Sequence, residues 1–73
     1  MSAHRTIFVS PVAEGWAVFC AGLEPLLFRS GRRAEEYAKQ LAAVLARLGR
    51  AVQVRIHDRA QTLVGVAYYP AAA

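Results

Sequence analysis

The stretch Ser30–His57, SGRRAEEYAKQLAAVLARLGRAVQVRIH, changes its hydrophobic period partway along, and that change decides the fold. In its first part Ala34, Tyr37, Ala38, Leu41, Leu45 and Leu48 recur at helical spacing and form one apolar stripe. Ser30 is an N-cap, because its hydroxyl can accept from a free backbone N–H of the first turn. Gly49 supplies a left-handed stop. Glu35 and Lys39 sit four apart in the favourable order, and Arg47 complements the negative end of the helix dipole. Beyond Gly49 the period becomes two. Val52, Val54 and Ile56 alternate with Gln53, Arg55 and His57, which describes a strand with one apolar and one polar face.

Working outward, Thr6–Ser10 is a β-branched and aromatic run that Pro11 is expected to end. Pro11 to Gly15 reads as a loop. Gly15–Ala21 is apolar on both faces, the pattern of a strand covered on both sides. A turn from Gly22 to Pro25 leads to a short strand, Leu26–Arg29, whose leading proline suits a strand start or a sheet edge. After the helix and Val52–His57, the loop Asp58–Gln61 returns the chain as a last strand, Thr62–Tyr69, stopped by Pro70. Gly65 inside that strand marks a bulge or a close approach. Residues 1–4 and 71–73 are expected to fray.

The order β-β-β-α-β-β predicts an α+β fold: an antiparallel sheet of about five strands with one helix on one face. The 73 residues allow a single domain, 1–73, with a small core. Below roughly 70–80 residues a lone core supplies only about 3–5 kcal/mol. Cys20 is the only cysteine, so no internal disulfide reinforces that core, and a reducing, cytoplasmic setting is expected. The longest apolar run, Trp16–Leu23, is too short to span a membrane, and the N-terminus lacks a signal-peptide pattern.

Chemistry-bearing residues are sparse. His4 and His57 have no carboxylate or thiol placed to complete a metal or acid–base site. Cys20 reads as a buried thiol and Trp16 as a core anchor. The acidic residues form no opposed pair, and the scattered glycines build no phosphate loop. No catalytic residue, metal, cofactor, membrane contact or small-molecule substrate is expected.

Two features remain. The net charge is +4, from eight arginines, one lysine and five acids. Arginine grips phosphate with a planar two-pronged fork. One helix also covers only one face of a sheet. Gln53, Arg55 and His57 then line the other face, with Phe8, Phe19 or Tyr69 as candidate neighbours. Such a face can stack bases on rings and hold phosphates with arginines. No RNP-like aromatic motif, KH-type loop or helix-turn-helix accompanies it. Gly31 with Arg32 and Arg33 at the helix start is a further phosphate-friendly spot.

The motifs Val9-x-Pro11, Gly15-Trp16-x-Val18, Glu35–Glu36 with Ala38, and Val54-x-Ile56-x-Asp58 together resemble a family of short bacterial domains of unknown function, built from strands, one helix and a closing hairpin. The helix here is longer and richer in alanine and leucine, and the final strand is more apolar. The resemblance implies a small bacterial cytoplasmic protein and carries no activity or site residues.

The function expected from sequence is a non-enzymatic binding module, homodimeric, with nucleic acid as ligand. Arg32, Arg33, Arg55, His57 and Arg59 would contact phosphate, and Tyr69 or Phe19 would stack. The alternative is a self-assembly or protein-interaction domain in which the charge serves only solubility.

Overall fold

A computed structural model describes residues 5–72. The expectations for residues 1–4, His4 among them, and for Ala73 lie outside the described residues. The chain runs β1 (Arg5–Val12), β2 (Gly15–Cys20), β3 (Leu26–Phe28), α1 (Gly31–Arg47), β4 (Val52–His57) and β5 (Leu63–Tyr69). This is the expected order. The strands form one sheet, β3-β2-β1-β4-β5. Three neighbouring pairs are antiparallel, and β1 with β4 is parallel. The parallel pair follows from the helix: the chain leaves the β3 edge, crosses one face as α1 and returns beside β1. No described helix is long and apolar enough to cross a membrane.

The helix starts where Ser30 caps it, with Arg33 N–H donating to Ser30 Oγ at 3.3 Å. It ends at Arg47 with Leu48 as C-cap, and Gly49 follows with φ +93° and its N–H donating to Ala46 O. Its buried line, however, is Ala34, Ala38, Ala42 and Ala46. Tyr37, Leu41 and Leu45 flank that line and pack partly buried against the core. Leu48, expected in the stripe, is 72% exposed, because the helix has already turned its face away at the cap. Alanine at every fourth position removes the side-chain spacer between helix and sheet. The helix therefore lies close on β1, β2 and β4 and touches β3 and β5 less.

The sheet meets this line with rows set by register. Cys20, Ile7, Val54 and Ala67 form one row; Leu26, Val18, Val9, Ile56 and Gly65 form the next. Ile7, Val9, Val52 and Val54 are the largest fully buried side chains, all on the two central strands.

Several strand expectations are corrected. Pro11 does not end β1. It pairs with Trp16 two residues after β4 has parted from β1 at Val9, so no β4 partner waits for its missing N–H. The strand β2 stops at Cys20, β3 at Phe28, and β5 starts at Leu63. Nor is β2 covered on both sides: Phe19 is 39% exposed. The bulge foreseen near Gly65 is present, as the pairing shifts between Ile56↔Gly65 and His57↔Leu63. The C-terminal tail is tied in at Ala72, whose N–H donates to Ala46 O at 2.9 Å.

Two glycines are required by contact. A Cβ on Gly15 would collide with the Phe28 carbonyl oxygen, and one on Gly31 would stand 2.8 Å from Trp16 Cε2. The close helix–sheet approach makes a direct prediction. Ala38→Leu overpacks the interface and should cost about 1–3 kcal/mol, whereas Leu48→Ala should stay within about 0.5 kcal/mol. Urea unfolding of the two variants checks both.

Candidate interaction surface on the open sheet face

Alternation sends every second side chain of the sheet away from α1. Register groups these outward residues into rows. The central row is Phe19, Phe8, Arg55 and Val66. Beside it run Thr6, Gln53 and Tyr68 on one side. On the other side lie Leu27, Ala17 and Ser10, with His57 facing Leu63 across β4 and β5. Phe8 is 39% exposed, as is Phe19, and Leu27, Val66 and Tyr68 are more exposed still. None of these outward residues is acidic. The face is thus apolar and aromatic, with positive charge and no carboxylate. That composition makes it the candidate interaction surface.

Arg55 stands at the centre of the face. Its Nη1 donates to Gln53 Oε1 at 3.2 Å, which fixes the guanidinium along the strand. The Phe8 and His57 rings lie 6.4 Å apart, centroid to centroid. At the end of the sheet where β1 begins, a depression of about 820 Å³ opens beside the two phenylalanines. Thr6, Phe8, Phe19 and Leu23 line it, with Arg5 and Arg50 in its wall and no acidic residue. Arg5 Nη1 is held by the Ala21 carbonyl at 2.9 Å. Its Nε is buried and has no hydrogen-bond partner among the described residues. Two adjacent phenyl rings therefore have Arg55 beside them on the face, while Arg5, which starts from the helix side opposite Val52, and Arg50 line the depression at the end of the sheet.

The residues singled out from sequence are divided by the structure. Arg55 and His57 share the open face. Tyr69 does not: it pairs with Val52 and packs against the helix-side core, and Tyr68 takes the outward position. Arg32 and Arg33 belong to the first turn of α1, on the covered side, and Arg32 pairs with Glu36 at 3.6 Å in solvent. Arg59 is engaged elsewhere. Its Nη1 and Nη2 donate to Val12 O at 3.2 Å and Gly15 O at 3.3 Å, and its guanidinium lies 5.1 Å from the Trp16 ring centroid. It locks the β1–β2 turn to the loop after β4. Asp58 braces that loop by accepting from the N–H groups of Ala60 and Thr62.

Sequence reasoning missed Arg5 and Arg50. Arg5 lines the depression from the start of β1, where its Nη1 is held by Ala21 O, and Arg50 does so only because β4 returns parallel to β1. Cys20 is buried, as its apolar strand suggested. Among the described residues no three His, Cys, Asp or Glu side chains cluster as a metal site would need.

No protein-family model, curated protein or solved structure matches the chain, so the roles of these residues rest on geometry alone.

Arg59→Ala removes two hydrogen bonds and a cation–π contact and should lower the unfolding free energy by about 1–2 kcal/mol. Arg33→Ala, at an exposed position without such partners, should change it by less than about 0.5 kcal/mol. Urea titration separates a structural Arg59 from a surface Arg33.

Proposed function

We propose that this chain is a non-enzymatic binding module whose open sheet face takes single-stranded nucleic acid. The observation that carries this reading is the pair Phe8 and Phe19, adjacent across β1 and β2 and flanked by Arg5, Arg50 and Arg55 with no carboxylate among them. Bases stack on such rings whatever their sequence, while arginines hold the backbone phosphates. A double helix is a poorer fit, because its bases are already stacked and its rod meets a broad flat face in few places. Arg32, Arg33 and Arg59 leave the site in this account.

A second reading is favoured by the β5 side of the face. Val66 is 52% exposed, and Leu63 and Val64 add further aliphatic surface. That side suits an apolar protein partner, for which the charge serves only solubility.

Fluorescence anisotropy with labelled single- and double-stranded oligonucleotides separates the two. Three arginine–phosphate contacts predict a salt slope near −2 for single strands, or roughly 20-fold weaker binding between about 50 and 200 mM salt. Phe8→Ala should weaken binding at least about fivefold, the lower end of one base-stacking contact. Arg32→Ala should leave it unchanged. Absence of binding at low salt would overturn the nucleic-acid reading and leave the apolar-partner reading in its place.

A further inference from the structure

We infer that β5 is a self-pairing edge, through which two copies of this chain join their sheets into one of ten strands. The two edges of the sheet differ sharply. The outer strand on one side, β3, has three residues and begins just after Pro25, both features that discourage pairing. The outer strand on the other side, β5, has seven residues, LVGVAYY, and its outer side meets no other strand among the described residues. From Thr62 to Ala72 the chain carries no charged side chain and no proline except Pro70, which lies beyond the strand. Its one irregularity, the bulge opposite Ile56 and His57, lies near its start and leaves Gly65–Tyr69 in regular register. A sheet edge this long, uncharged and apolar, with no further strand on its outer side among the described residues, is a template for another strand.

The sequence of β5 also selects the occupant. An antiparallel partner related by a two-fold axis through Val66 sets Val66 against its own copy. Gly65 then meets Ala67 and Val64 meets Tyr68; beyond them the bulge turns Leu63 to the open face, away from the helix-side Tyr69. Every cross-strand pair is apolar or aromatic, no like charges face each other, and the residue beside each glycine is small. Cross-strand aromatic and β-branched pairs of this kind stabilise antiparallel ladders. A closed two-fold interface needs such self-complementarity. The monomer also has reason to pair, since its buried core holds Ile7, Val9, Val18, Cys20, Val52 and Val54 and is otherwise alanine. Pairing about Val66 carries the row Phe19–Phe8–Arg55–Val66 straight into its mirror sequence in the second copy. The inference stands on the edge alone and holds whatever the face binds.

Sedimentation velocity of the free protein, with no nucleic acid present, tests it. The expected result is a dimer of twice the 8.0 kDa chain, in concentration-dependent exchange with monomer. Val66→Lys places two ammonium groups against each other at the axis and should give a monomer; Val66→Glu should do the same with carboxylates. Circular dichroism confirms that each is folded. Mixing the two folded variants should restore the dimer, because residue 66 meets only residue 66. Phe8→Lys, in the middle of the face, should leave the dimer intact. A monomeric wild-type protein, a dimer that survives Val66→Lys, or a dimer dissociated by Phe8→Lys would each overturn the inference.

Discussion

Four alanines, Ala34, Ala38, Ala42 and Ala46, set the distance between helix and sheet, and the rest of the molecule is arranged around that distance. With no larger side chain between them, α1 rests on the small and branched residues of β1, β2 and β4. The contact is dense but thin. It buries Ile7, Val9, Val52 and Val54 completely and leaves the large rings at its margins, where Phe28 and Tyr37 lie 5.5 Å apart and Trp16 fills the space beside Gly31. Interiors packed this tightly tolerate little added volume.

A single helix on a five-stranded sheet leaves the far face without cover by any second helix among the described residues. The residues placed there are unlike those of an idle solvated face. Phenylalanine pairs with phenylalanine, and arginine stands at the centre. The acids are kept to the turns and the helix exterior: Glu14, Glu24 and Asp58 between strands, Glu35 and Glu36 in ion pairs on α1. This separation gives the face its positive, aromatic character. It does not depend on the total charge, since Arg32 and Arg59 are engaged elsewhere and Arg33 lies on the helix side of the molecule.

The architecture was legible in the sequence because two periods were clean. The 3.6 spacing between Ser30 and Gly49 and the alternation of Val52–His57 fix one helix and one strand face, and turn residues place the others. The alanine line was harder to see. Leu41, Leu45 and Leu48 are the more hydrophobic residues, and a hydrophobicity reading draws the stripe through them, although close packing favours the smaller side chain. Pro11 and Tyr69 failed for a shared reason. Whether a proline's missing N–H matters, and which of Tyr68 and Tyr69 turns outward, depends on strand neighbours and register, which are tertiary facts. Arg50 joined the site only through the parallel β1–β4 pairing, a long-range contact that no local pattern announces.

The central claim is that binding takes place on the open face, around Phe8 and Phe19. It is tested most directly by following the backbone amide resonances of the labelled protein while a short single-stranded oligonucleotide is added. The account predicts shifts concentrated in β1, β2 and β4 around Phe8, Phe19 and Arg55, extending to Arg5 and Arg50, with α1 unaffected. Shifts centred on the helix start at Gly31–Arg33, or no shifts at all, would contradict it.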